Sequence, residues 1–334
     1  MDATRRSHTG TWLLFMLMLV APLHDVECLE PVSLTIAAAS AVALTSYASH
    51  RLYCRLTQRC DEEKPFSTAA LNADLTNRLF GQPLAKAAII WALTDFMGSE
   101  YPQKALTLSL HGWTGTGKNL ASKIIVENIY KLGMKSKCVH LYVSTLHFPH
   151  EDRIPLYQDQ LHTWIRGNVS RCARSIFIFD EMEKLSPDLI DAIKPFLNYY
   201  EHIDGVSFHK AIFIFLSNAG NEQINEDVVK IAMERHSLQL YHLESIFSTL
   251  FSNRILWHRS LIGNSLIDFS IPFLPLELGH VKRCIMAELR QSGLREDEEL
   301  ASRVANEMVY FPKDRKLFSD RGCKTIPAKL LIHL

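Results

Sequence analysis

Short, almost uninterrupted apolar runs punctuate the middle of the chain, and each is followed by a stretch whose apolar positions recur at helical spacing. The runs are Leu106–Leu110 (LTLSL), Val139–Val143 (VHLYV), Ser175–Phe179 (SIFIF), Ala211–Leu216 (AIFIFL) and the weaker Leu266–Phe273. Between them, 118–130, 157–171 and 187–200 read as helices. Strands that are apolar on both sides need cover on both sheet faces, so the pattern predicts a parallel sheet inside a three-layer α/β domain spanning 61–275. After Pro275 the texture becomes helical, with amphipathic stretches at 277–291 and 296–309 and no further strong strand. Residues 276–334 therefore read as a small α-helical lid domain.

The N-terminal residues follow a different logic. Arg5, Arg6 and His8 precede the apolar run Trp12–Ala21, with small residues up to Cys28. That is the layout of a cleaved signal peptide over 1–28, and a run of about ten residues is too short to span a bilayer. Residues 29–60 contain the uncharged stretch Val32–Ser49, rich in Ala and Ser. It reads as a membrane-associating segment lying in one leaflet, or as a linker helix packed on the domain.

Composition adds boundaries rather than detail. In 334 residues, 47% are hydrophobic, enough for a sizeable core, and 36 basic residues balance 36 acidic ones. That balance argues against nucleic acid as a partner. The seven cysteines show no metal-binding spacing, and Cys54 and Cys60 are candidates for pairing in an oxidising compartment. Asn168-Val169-Ser170 is the one N-glycosylation sequon, which places Asn168 as a candidate acceptor.

The chemistry concentrates after the first strand. His111-Gly112-Trp113-Thr114-Gly115-Thr116-Gly117-Lys118-Asn119-Leu120 matches G-x-x-x-x-G-K and then carries Asn119 where Ser or Thr is usual. The glycines let backbone N–H groups face a phosphate chain at a helix N-terminus, and Lys118 reaches the β- and γ-phosphates. Asp180 and Glu181 close the third run, at the strand ends that face a ligand crevice. There Asp180 would hold Mg²⁺ through water, together with Asn119, and Glu181 would deprotonate the attacking water of ATP hydrolysis. Asn218 ends the next run; it would touch the water or the γ-phosphate, or simply form a turn before Ala219-Gly220.

These parts resemble the AAA+ ATPases, and within them the torsin family of the torsin A and B type. The shared words are FGQPLAK, LSLHGWTGTGKN, LHFPH, IFIFDEMEK, IKPFLNYY, KAIFIFLSNAG, PFLPL and FSDRGCKT, from about Glu30 to Thr325. The resemblance implies an AAA+ P-loop domain with a helical lid, in a peripheral membrane ATPase of the endoplasmic reticulum and nuclear-envelope lumen. It implies a chaperone-like role in membrane and protein homeostasis, with self-association or a hetero-ring. By position it makes Lys118 and Asn119 Walker A residues, Asp180 and Glu181 Walker B, Asn218 sensor one and Lys324 sensor two. Gly81 and Gln82 match an element that lies by the adenine in Clp-type relatives, with Leu79 and Phe80 flanking the base.

Departures from the wider pattern suggest control. Torsins of this type also carry Asn at 119, which implies retained nucleotide binding and slow hydrolysis. Clp-type relatives have an arginine finger where alignment through PFLPL places Leu266; Arg254 and Arg259 lie nearby as displaced fingers or surface residues. Its loss implies an activator in trans, in torsins a membrane-bound protein of the lamina-associated polypeptide type with a lumenal ATPase-like domain. Cys284 and Cys323 correspond to a redox-sensitive disulfide in torsins, though buried thiols are the competing reading. LHFPHEDRIPL replaces an aromatic-glycine pore loop, with Tyr157 too deep in the following helix to thread a client. The tail, with Pro327 and LLIHL, differs from the polar, tyrosine-rich torsin tail. A nucleotide-gated scaffold, in which hydrolysis only resets assembly, is the alternative function.

Overall fold

Five parallel strands, β1 (Leu106–Gly112), β2 (Val139–Val143), β3 (Ile176–Asp180), β4 (Ile212–Ser217) and β5 (Phe269–Phe273), form one sheet in the order β2-β3-β4-β1-β5. The computed structural model describes residues 63–218, 226–243, 245–246, 261 and 265–333. The segment expected to be a signal peptide, Val32–Ser49, Cys54, Cys60, Arg254 and Arg259 lie outside them. Among the described residues, no helix is long and apolar enough to cross a membrane.

The repeated Ile-Phe alternation explains how the sheet is covered. Successive side chains on a strand point to opposite faces. Ile176, Ile178, Ile212 and Ile214 therefore share one face, packed with Leu108 and Leu110 of β1. Phe177, Phe179, Phe213 and Phe215 fill the other. The register pairs Phe177 with Phe213, and their rings stack at 5.0 Å.

Helices α1 (Thr68–Arg78), α2 (Pro83–Gly98) and α3 (Lys118–Ile129) cover the aliphatic face. The short α4 (Ser144–His147), α5 (Ile154–Val169) and α6 (Pro187–Ile193) follow β2 and β3, and α5 and α6 cover the phenylalanine face. Helix α7 (Glu226–Met233) follows β4.

Two expected elements are shorter than their patterns. The helix expected over 187–200 stops at Ile193 and tightens into a 3₁₀ turn over Lys194–Leu197. Pro195 has no N–H to continue an α-helical ladder, so the apolar pattern outlives the helix. The fifth strand begins at Phe269 rather than Leu266. It pairs only with β1, so it is an edge, where Pro272 is tolerated.

The lid comprises α8 (Leu278–Gln291), α9 (Glu298–Asn306), a two-residue ladder of β6 (Tyr310–Phe311) with β7 (Phe318–Ser319), and α10 (Ile326–His333). Its core holds Val281, Ile285, Leu289, Leu300, Val304 and Leu330. Reciprocal bonds of Glu277 and His280 cap α8, and the Asp297 carboxylate accepts Leu300 N–H at 2.9 Å to start α9. The C-terminal residues form α10, with Pro327 in its first turn, where a missing N–H costs nothing.

Phe213→Ala should lower the unfolding free energy by about 3–5 kcal/mol, because it removes a fully buried, stacked ring from a closed layer. Urea denaturation of the two proteins side by side checks this.

Candidate nucleotide site

The C-terminal ends of β1, β3 and β4 lie at one edge of the sheet, because the strands are parallel and adjacent. That edge gathers the glycine loop, Asp180-Glu181 and Asn218. Gly115 has φ +70° and Gly117 φ +107°, both in the region that disfavours side chains. Space is a second constraint: a Cβ on Gly115 would lie 2.0 Å from the Arg321 carbonyl oxygen, and one on Gly117 2.5 Å from Leu79 Cδ1.

The loop is tied to itself and to the lid. Thr116 Oγ1 donates to the Trp113 carbonyl at 2.7 Å. Trp113 Nε1 donates to the Asp320 carbonyl at 2.6 Å, and its ring stacks on Phe311 at 4.8 Å. Cys323 N–H donates to the Gly115 carbonyl at 3.0 Å. Thr114 lies half-buried at the loop's crest.

Lys118 opens α3 and is buried. Its Nζ donates to the Gly112 and Trp113 carbonyls at 2.8 and 2.7 Å. Burial lowers its pKa to about 8, the charges of Glu183 and Asp180 oppose that shift, and Lys324 adds to it. A buried ammonium between loop carbonyls, beside N–H groups at a helix start, fits an anionic phosphate chain.

The next residue decides the acidic side. Asn119 Nδ2 donates to Asp180 Oδ2 at 2.7 Å, which leaves the amide oxygen as an acceptor. Two neighbouring oxygen donors are the chemistry that suits a hard cation such as Mg²⁺. Among the described residues, no cluster of three His, Cys, Asp or Glu competes as a metal site.

Glu181 occupies a left-handed backbone conformation, φ +58°, uncommon for a residue with a side chain. Its N–H donates to Asp180 Oδ1 at 2.8 Å, and its Oε2 accepts the Thr145 hydroxyl at 2.5 Å. Thr145 sits on α4, just after β2, whose own hold on the site is Ser144 Oγ donating to the Asp180 carbonyl at 3.0 Å. The catalytic candidate is thus held by a hydroxyl that the sequence pattern did not single out.

Asn218 is held as well. Glu183 accepts its backbone N–H at 3.1 Å and its Nδ2 at 3.3 Å. One carboxylate thus fixes the amide and also counters the buried charge of Lys118; Ala219 and Gly220, on which the turn reading rests, lie outside the described residues. Glu183 escaped the sequence reading, although the repeated acid in Asp180-Glu181-Met182-Glu183 was visible.

On the lid side, Lys324 lines a cleft of about 560 Å³ with Phe80, Leu120, Lys123, Cys284 and Cys323. Cys284 and Cys323 are joined, with Cα atoms 6.2 Å apart, so the competing reading as free buried thiols gives way. Arg283 stacks over Phe80 at 4.4 Å. Leu79, the other residue expected to flank a base, is buried against Gly117.

Gln82 is buried and bonds to backbone on two segments: its Oε1 accepts Leu274 N–H at 2.9 Å, and its Nε2 donates to the carbonyls of Leu274 at 2.7 Å and Thr116 at 3.2 Å. Beside it, fully buried Arg235 donates to the Gly81 and Pro275 carbonyls at 2.8 and 2.9 Å and pairs with Glu277 at 2.9 Å. The two side chains clasp the hinge between sheet and lid.

Three other residues fall away from this edge. Leu266 lies before β5, at the opposite end of the sheet, in the phenylalanine-face core. Its carbonyl accepts from Lys104 Nζ at 3.2 Å. Asn168 is half-buried in the last turn of α5, and Tyr157 is buried in the same helix.

Comparison with known proteins agrees with this geometry. The chain is similar over 80% of its length to Hsp104 in a closed-state cryo-EM reconstruction with ATPγS and FITC casein, with TM-score 0.57 and 14% identity. It is similar over 79% of its length to a Saccharomyces cerevisiae Hsp104–ADP complex, with TM-score 0.57 and 16% identity. It covers 46% of each of those chains, and at this identity the likeness shows the fold: an AAA+ α/β domain with a helical lid. The Torsin family model matches residues 54–179, and the Torsin-1A, C-terminal domain model matches 276–333. Together they cover more than half the chain, the first taking in the glycine loop and the second the lid, and the protein belongs to the torsin family of AAA+ ATPases.

Proposed function

We propose that this torsin binds Mg·ATP and hydrolyses it slowly, and that a membrane-bound activator completes the site in trans. The observation that carries the reading is the 2.7 Å bond from Asn119 to Asp180, which joins the glycine-loop helix to the acidic strand end beside Lys118. In this arrangement Lys118 binds the β- and γ-phosphates, and the oxygens of Asn119 and Asp180 hold the metal, Asp180 through water. The bound ion would neutralise charge on the phosphates. Glu181 takes the proton of the attacking water once it leaves Thr145, Asn218 orients that water, and Lys324 reaches the nucleotide from the lid.

The activator is inferred from Leu266. A buried leucine, 2% exposed, offers no cation to a γ-phosphate. An arginine from a lumenal ATPase-like domain of the lamina-associated polypeptide type would supply one, an effect of about 10³–10⁵ in turnover. Two disulfides, Cys138–Cys172 and Cys284–Cys323, support an oxidising compartment, in keeping with the lumen of the endoplasmic reticulum and nuclear envelope and with a glycan on Asn168. We place the working boundaries at 1–28, 29–60, 61–275 and 276–334, with residues 29–60 making the peripheral membrane contact. Self-association or a hetero-ring with the activator, and a chaperone-like role in membrane and protein homeostasis, belong to the same reading.

The bond from Thr145 to Glu181 gives the scaffold alternative one observation of its own, since a general base held in this way is idle. Glu181→Gln separates the two readings. It should cut phosphate release in the presence of activator by about 10²–10⁴-fold while keeping ATP affinity and lengthening the life of the activator complex. An unchanged lifetime supports the scaffold. Asn119→Thr should raise the basal rate, measured by phosphate release without activator; an equal rate removes Asn119 from the explanation of slow turnover. Cys323→Ser should abolish any difference in ATP affinity between oxidant and reductant, measured by nucleotide titration of both forms, because Cys323 N–H and the disulfide position the loop beside Gly115.

A further inference from the structure

Every strand of the main sheet runs the same way, so the loops that lead into the strands share the edge opposite the nucleotide site. These loops form one continuous floor. The disulfide Cys138–Cys172 pins the loop before β2 to the loop before β3, with Cα atoms 5.8 Å apart. Ala173 then shares a cleft of about 670 Å³ with Tyr101, Tyr199 and Lys210, from the loops before β1 and β4. A second cleft of about 410 Å³ continues from Tyr101 and Tyr199 to Trp91.

The chemistry of the floor is divided. Residues 130–138, YKLGMKSKC, contain no acid; Lys131, Lys135 and Lys137 are exposed, and Leu132 between them is 60% exposed. Residues 170–175, SRCARS, add exposed Arg171 and again no acid. The other half is aromatic: Tyr101, Tyr199 and Tyr200 are each more than half exposed, with Glu100 and Glu201 among them. Exposed cations beside exposed tyrosines and a leucine match a membrane–water interface, where rings sit at headgroup level and lysines meet anionic lipid. A nucleic-acid track would gain nothing from Leu132.

The chain also joins the body at this edge. Lys64 N–H donates to the Ile129 carbonyl at 2.7 Å, and Glu63 pairs with Arg174 at 3.2 Å. Thirteen residues separate Glu63 from the uncharged stretch Val32–Ser49. Fully extended, they reach at most about 45 Å.

We propose that this floor rests on a bilayer surface carrying anionic headgroups. The inference deepens the peripheral-membrane part of the proposed function and rests on it. The lysines and Arg171 meet the headgroups, and the tyrosines enter the interface beside them. The consequence is an orientation: the glycine loop, Asp180 and Asn218 face away from the membrane, where a partner's lumenal domain can reach them.

The test is flotation of the full chain with phosphatidylcholine vesicles, with and without 30 mol% phosphatidylserine (about one lipid in three, enough to set a negative surface potential). The parent should bind the anionic vesicles more tightly. The triple variant Lys131→Glu, Lys135→Glu, Lys137→Glu should lose that preference, by roughly tenfold or more. Tyr101→Ser with Tyr199→Ser should weaken binding to both vesicle types. A triple variant on the lid, Arg303→Glu, Lys313→Glu, Arg315→Glu, carries the same change in net charge and should bind as the parent does. Unfolding midpoints and ATP titration run in parallel show that the variants are folded. Equal binding by the floor triple and the parent overturns the proposal and leaves attachment to the N-terminal segment. Equal losses in the floor and lid triples overturn it too, as would a parent displaced from vesicles by polyuridylate. A parent that binds no vesicle removes the membrane reading while ATP binding stands or falls on its own titration.

Discussion

The nucleotide edge depends on two backbones that touch with nothing between them. Gly115 of the glycine loop and Gly322 of the lid approach so closely that a Cβ on either would overlap the other strand of chain, 2.0 Å from the Arg321 oxygen or 2.3 Å from the Gly115 oxygen. The Cys323 N–H bond to the Gly115 carbonyl and the Trp113 bond to Asp320 seal this contact. A loop so held cannot change shape without moving the segment that carries Cys323 and Lys324. The shape of the glycine loop and the position of the lid segment that carries the Cys284–Cys323 disulfide are therefore tied by sterics before any charge is considered.

The charges add a second layer. Lys118 is desolvated enough to be held near pKa 8, and Glu183 and Asp180 are what keep it from falling further. The same acids also hold the amides: Asp180 takes Asn119 and Glu183 takes Asn218. Glu181 is engaged by Thr145 and sits on a strained backbone. The acids of the site are thus occupied by neighbouring donors.

The lid hinge shows the same economy of parts. Gln82 binds Leu274 through both its N–H and its carbonyl and reaches Thr116, while Arg235 binds Pro275 and Glu277. Buried polar side chains are tolerated here because each is satisfied by backbone or an opposite charge. Their position, between the glycine loop and the first residues of the lid, links the two.

Local pattern determined the layers of this protein. Ile-Phe alternation in SIFIF and AIFIFL, read with a period of two, already implies a sheet covered on both faces, and a glycine loop between strand and helix implies a phosphate site. Those features were legible because neighbours in sequence create them: Lys118 and Asn119 follow Gly117, and Asp180 and Glu181 end one strand. What only the tertiary structure decided are bonds between distant segments. Thr145 reaches Glu181 across 36 positions, Glu183 reaches Asn218 across 35, and Gln82 reaches Leu274 across 192. Nothing in the local spacing of a threonine or a glutamine encodes a partner that far away. The pairing of Cys138 with Cys172, and the packing of Leu79 against Gly117, belong to the same class. They follow from which strand lies next to which, and that order emerges only when the whole sheet has closed around its core.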